Sequence, residues 1–387
     1  MKILALIFMI LSTLLPIDSA IASENVKYYT KMPGVISPLL EFSPRGEIRT
    51  EQSKEYNHYK VLYDSNNRLS SIKYFNGLNK SSDSYFNTHE VRYTYMAGKR
   101  IREYFGVNGE ALAMSRHYYR SSNIHREEYE LNGNKTKLFL YDVNGKRVAA
   151  GTGTYVFEGE LINGKGLLQR LYRKNGSPGI IFKYLPFEVS LLTMDSNGFI
   201  HRILNFDEET GQVVQHEKSG FAEMRIMFDQ YGNELGWDFR DSEGNLVNRA
   251  SDMIDGGYAI QTYDFQWSKR ELGQYTSYIQ RYFTSDGEVF CKNRVICSEK
   301  YEFNASNNVT KNEKRGRTGE LVVDPEVNFA KVEIDYDIAL RKIEVRYYDA
   351  SAELRKIGVA FRKWKYMEDG TGEEKMFDRF GVGIINP

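Results

Sequence analysis

From residue 90 to 95 the chain alternates: Val91, Tyr93 and Tyr95 fall on one side, and Glu90, Arg92 and Thr94 on the other. The same period of two returns at 137–141 and 342–347. Between such runs stand Gly98 and Gly109, Gly133 and Gly145, Gly164 and Gly176, Gly198 and Gly211, Gly232 and Gly244, each pair 11 to 13 residues apart. Alternating β-branched and aromatic residues bounded by Gly, Asn and Asp predict antiparallel strands joined by tight turns. Asn-Gly occurs at 108–109, 132–133, 144–145, 163–164, 175–176 and 197–198, which supplies the positive-φ chemistry of hairpin turns. The expected fold is therefore all-β: a repetitive antiparallel meander of hairpins, forming an open twisted sheet, a hairpin solenoid or a propeller-like ring.

A longer unit emerges in the second half. Gly220-Phe221-Ala222 leads to Phe228-Asp229 and on to Asp241, and Gly257-Tyr258-Ala259 restarts the unit 37 residues later, leading to Tyr263-Asp264. Asn328-Phe329-Ala330, followed by Tyr336-Asp337, and Gly358-Val359-Ala360, followed by Phe377-Asp378, repeat it. In each Tyr/Phe-Asp pair the ring is expected to pack on its neighbour, while the Asp caps the turn by accepting from backbone N–H groups. This unit resembles the tandem β-hairpin repeats of the WG-repeat and YD-repeat kind. The segment 163–176, Asn-Gly-Lys-Gly-Leu-Leu-Gln-Arg-Leu-Tyr-Arg-Lys-Asn-Gly, also resembles the MORN-type variant of some antitoxin proteins. The WG dipeptide itself is absent, since Trp237 follows Gly236 in reverse order. These resemblances imply a fold and a binding role, and bring no catalytic residues.

Four segments follow: 1–22 a signal peptide, 23–54 an irregular lead, 55–215 hairpin repeats and 216–387 the longer units. Lys2, an apolar run over 3–15 and Ala20-Ile21-Ala22 fit an export signal cleaved before Ser23, and the run is shorter than a bilayer span. No further long apolar run follows, so the mature chain should lack a membrane span and lie in a periplasm or outside the cell. The chain holds two cysteines, Cys291 and Cys297, expected as a disulfide that staples one small loop.

Composition sharpens this reading in two respects. With 52 basic and 52 acidic residues among 387, the formal charge is zero, which removes the electrostatic case for nucleic acid. Aromatics reach 14%, with 28 Tyr, 22 Phe and 3 Trp, more than a core alone explains. Tyr118-Tyr119, Tyr275 with Tyr278, and Tyr347-Tyr348 are candidates for a stacking platform, because strand neighbours face opposite ways and one ring of an adjacent pair must turn outward.

Other candidate chemistry has a plainer explanation. His117 and His125 can meet across a hairpin, but ordinary cross-strand histidines are expected, with no metal and no cofactor. Glu333, Asp335 and Asp337 line one strand face, as paired glycosidase or calcium carboxylates do, yet also as a solvated face does. The glycines of 151–159 read as turns rather than a phosphate cradle. The basic runs 311–317 and 362–365 read as a solvated loop and an edge guard. The expected function is an exported, non-enzymatic protein that binds another protein through an aromatic-rich surface. The alternatives are an immunity or antitoxin-like protein that blocks a toxin, and a carbohydrate-binding or carbohydrate-cleaving protein.

Overall fold

The computed structural model describes residues 25–384 apart from 33–36, 84–85, 87, 115–122, 163–165, 181, 183, 252–255, 306, 338–340 and 368–371. The expected signal peptide, His117 and Tyr118-Tyr119 lie outside the described residues. The long strands join in one open antiparallel sheet. Asn57–Tyr63 pairs with Leu69–Asn76, which pairs with Glu90–Met96, then Lys99–Phe105, Arg126–Asn132 and Lys135–Tyr141. Each later strand adds beside the last, through Thr154–Ile162, Gly166–Arg173, Glu223–Phe228 and Ile260–Lys269, to Phe361–Tyr366 and Gly372–Phe377. The meander is as the alternation predicts, and among the three expected forms it is the open sheet.

The period of two is visible in burial. Val91 and Tyr93 are buried while Arg92 and Thr94 are exposed. Farther along, Arg102 and Tyr104, then Glu127 and Tyr129, turn inward. The core also runs as a column of rings, Phe187, Phe221, Phe239, Tyr258 and Tyr282, with successive centroids 5.2, 4.8, 5.9 and 5.0 Å apart. Such offset and edge contacts suit ring quadrupoles and stack one hairpin on the next.

The turns follow one design. Asp142 Oδ1 accepts from Asn144 N at 2.9 Å and Lys146 N at 2.8 Å, while Gly145 N donates to Asp142 O with Gly145 at φ 75°. Asp195, Asp229, Asp241, Asp349 and Asp378 each accept two amides in the same way. Tyr263-Asp264 departs from this pattern. It sits inside a strand, with Asp264 opposite Ile279 and ion-paired to Arg281 rather than capping a turn.

Where an irregular lead is expected, Asn25–Lys31 pairs with both Asn57–Tyr63 and Arg45–Ile48. Between these two strands, residues 37–42 fill the core. Tyr129 OH lies 2.8 Å from Pro38 O, Ser37 Oγ donates to Gln169 Oε1 at 2.5 Å and Arg102 Nη2 to Leu40 O at 3.3 Å. Leu39 and Phe42 are buried, and a Cβ at Gly159 would come within 3.0 Å of Leu39 Cδ1. The sheet therefore bends around this segment. The bend brings its first strands back to a hairpin far along the chain: Thr30 Oγ1 donates to Leu272 O at 2.8 Å, 242 positions away.

Asp229 ties its turn to that hairpin by accepting from Arg270 Nε at 2.8 Å. Partial burial acts to raise its pKa, but bonds from Arg270, Asn233 and two amides outweigh it and hold the carboxyl below its usual value. A depressed folded pKa stabilises above the unfolded pKa, and that contribution is lost as pH falls through the folded value. Asp229→Asn should therefore lower the urea midpoint at neutral pH and flatten its fall below pH ~4. An unchanged acid limb in urea titrations would refute this.

Candidate functional site

The strands Ile260–Lys269 and Gln274–Phe283 form a long hairpin closed by the 3-10 turn Arg270–Leu272 and by Gly273 at φ 64°. Tyr263, Phe265 and Trp267 alternate along the first strand and so share a face. Opposite them stand Tyr278, facing Phe265, and Tyr275, facing Trp267; a register shift at Gln266/Trp267 brings both tyrosines onto that face. Strand Ser298–Phe303 adds Tyr301 and Phe303. The result is a continuous cluster of seven rings. Phe265 lies 4.4 Å from Trp267 and 4.8 Å from Tyr275, Tyr275 4.8 Å from Phe303, and Tyr278 4.9 Å from Tyr301. All seven are half-buried.

The returning N-terminal strands stand across from part of this cluster and enclose a cavity of about 590 Å³. Phe265, Trp267, Tyr275 and Phe303 line one side, and Tyr56 and Tyr59 another. Lys269 from the hairpin packs its ammonium 4.6 Å from the Tyr56 ring centroid. Polar side chains, among them Lys31, Asn57, Asn233, Glu234 and Asn304, share the lining with the rings. Lys31 Nζ donates to Asn233 Oδ1, and burial pushes the Lys31 ammonium down to about 8 against the favourable field of Asp229. The Glu234 carboxyl, enclosed beside Trp237 and accepting from its Nε1, is held above the usual carboxylate range by burial. A half-buried aromatic wall interspersed with polar side chains suits capture of an apolar side chain or of a flat ring.

Of the sequence candidates, Tyr275 and Tyr278 belong to this cluster. Tyr347 and Tyr348 diverge: Tyr347 packs on Phe329 at 5.3 Å, while Tyr348 OH donates to Glu333 Oε2 at 2.6 Å on the other face. The three carboxylates serve cross-strand pairing and a turn. Glu333 accepts from Lys331 at 2.9 Å, Asp335 from Arg346 at 2.6 Å, and Asp337 from Arg341 N and Nε, each at 2.8 Å. His125 is buried, its Nδ1 3.2 Å from Leu112 O. Among the described residues no group of His, Cys, Asp and Glu is placed to hold a metal ion.

Both basic runs are matched by acids, Lys311 and Arg315 with Glu313, and Arg362 with Glu374. The glycines of 151–159 form a turn, Gly153 N donating to Ala150 O at 2.8 Å, and then enter a strand. Cys291 and Cys297 form a disulfide across a tight turn in which Lys292 bridges Ile296. No helix among the described residues is long and apolar enough to cross a membrane. Phe265, Trp267, Tyr56, Lys31 and Glu234 are not singled out by sequence. The alternation Tyr-x-Phe-x-Trp at 263–267 is a signal that could have flagged two of them.

No protein-family profile and no curated protein matches the chain. Among solved structures, the crystal structure of TcdB2-TccC3-TEV matches at 11% sequence identity and a TM-score of 0.20, over 82% of this chain and 17% of that one. This chain thus spans a small part of that protein, and a likeness of this size carries no argument. The chain is a repetitive antiparallel β-meander with an aromatic cavity where its first strands return.

Proposed function

We propose that the protein is an exported, non-enzymatic β-repeat binding protein that takes a segment of another protein into the aromatic cavity. The observation that carries this reading is the seven-ring cluster over 263–303, half-buried on three neighbouring strands beside a cavity of about 590 Å³. Tyr and Trp around a recess, rimmed by polar side chains, have the anatomy of an interface hot spot. Tandem hairpin repeats supply the rigid wall, and the balanced charge leaves recognition to shape and aromatic contact.

The test is affinity capture with the chain from Ser23 to Pro387 on its own cell-envelope and secreted extract, with proteins and released glycans identified by mass spectrometry. A single protein at near-stoichiometric yield is expected. Trp267→Ala should weaken its binding by roughly thirtyfold or more, the scale of a hot-spot truncation. Equal recovery by wild type and Trp267→Ala would remove the cavity from the function. A toxin as the partner would make the protein an immunity factor.

A second reading, carbohydrate binding, is favoured by one feature: the amides of Asn57, Asn233 and Asn304 line the same cavity as the ring faces. Recovery of glycan alone would select it.

A further inference from the structure

A second cavity, of about 450 Å³, lies on the other side of residues 37–45 and is built differently. Its walls include Leu39, Leu167 and Ile200, and hairpin tips contribute Leu131, Leu161 and Met194. Those three residues, at the ends of their strands beside the tips, are 40%, 55% and 42% exposed. Large apolar side chains gathered at the mouth of an apolar recess mark a surface meant to be covered.

The charge in this recess is a single cation in excess. Arg100 also lines it but is ion-paired with Glu41. Arg45 has no ion pair and no side-chain hydrogen bond among the described residues, and its buried Nη1 is without a partner. Its guanidinium carbon lies over the Phe199 ring, 3.3 Å from the centroid. Asp195 is the acid that acts on it through space, but its Oδ1 is engaged by Asn197 N and Phe199 N. Burial pulls the guanidinium down to about 10. A half-buried guanidinium without a counter-charge on its buried Nη1 is costly, and a carboxylate is the group its fork fits.

We propose that this recess binds a single-chain fatty-acyl carboxylate, with the hydrocarbon against Leu39, Leu131, Leu161, Leu167 and Met194 and the head group on Arg45. The apolar walls select the chain and the one excess positive charge selects a monoanion. Phe228 lines both recesses, but this proposal does not rest on the reading built on the aromatic cavity.

The test is isothermal titration of the chain from Ser23 to Pro387 with palmitate, hexadecanol and a palmitoyl lysophospholipid, for wild type, Arg45→Met, Arg45→Lys and Leu161→Ser. Palmitate should bind saturably at one site per chain. Arg45→Met should weaken it by roughly tenfold or more, as for loss of a charged hydrogen bond, with Arg45→Lys retaining part. Hexadecanol should bind wild type and Arg45→Met alike, which also shows that the variant is folded. Leu161→Ser, at an exposed tip, should weaken both ligands with the melting temperature unchanged. Absence of saturable palmitate binding by wild type, or equal palmitate affinity in Arg45→Met, overturns the proposal. Tighter binding of the lysophospholipid than of palmitate overturns the carboxylate assignment and puts a phosphate on Arg45.

Discussion

Glu127→Ala is expected to destabilise the fold by about 3–5 kcal/mol, because it leaves a buried guanidinium without its counter-charge. Arg102 and Glu127 sit on neighbouring strands, both fully buried, with Nη1 and Oε2 2.9 Å apart. Glu127 Oε2 also accepts from Tyr129 OH at 2.6 Å, and the guanidinium carbon lies 4.2 Å from the Phe42 ring centroid. Burial acts to neutralise Arg102, but the field of Glu127 and the surrounding tyrosines more than offsets it, so the cation is held firmly. Removing the whole pair differs from breaking it. Arg102→Met with Glu127→Leu should recover most of the loss, since apolar residues of similar volume need no desolvation. Urea unfolding of the wild type, the single variant and the double variant measures both effects. A double variant as unstable as Glu127→Ala would show that packing around Phe42, rather than the unpaired charge, sets the cost.

Gly236→Ala is the second large effect, and its cause is backbone geometry. Gly236 lies in strand Glu234–Arg240 at φ 151°, where a register shift opposite Met227/Phe228 bends the ladder. A Cβ there would point into Gln261 O and the Cα of Thr262 on the neighbouring strand. The substitution therefore combines an unfavourable φ with a clash against backbone that cannot rotate away, for a cost of about 2–5 kcal/mol. Gly244→Ala is the control. Its φ is 91°, but nothing stands within 4 Å of its Cβ position, so only the conformational cost of about 1 kcal/mol applies. Thermal melts of the two variants should separate clearly. Equal melting temperatures would mean that the strands part without strain.

Alternation and Asx-Gly turns are local, so the strands and the amide-capping aspartates could be read directly. Asp142 and Asp241 lie within four residues of every amide they bind. Glu127 and Arg102 could not be read as inward, because a charged residue at a period-two position looks the same whether it faces water or a buried partner. The two cavities were illegible for a different reason. Each is made where residues near 30–45 meet strands from about 55 to about 270 positions away, and no periodicity encodes how a sheet bends. Tyr275 and Tyr278 were legible as an aromatic pair. Their association with Phe265 and Trp267 depends on a register shift that puts residues three apart on one face.

The contact between Thr30 and Leu272 also constrains how the chain acquires its structure. Neighbouring hairpins close over about a dozen residues, and hairpins of that span form within microseconds. The N-terminal segment must wait. Its walls at Gln169 and Leu272 lie 132 and 242 positions downstream, so loop-closure entropy is lost before those contacts can stabilise anything. Folding should therefore proceed in two kinetic stages, with hairpins in an early phase and the wrapping of the sheet around residues 37–42 in a slow one. Until that second stage ends, both recesses have an open side.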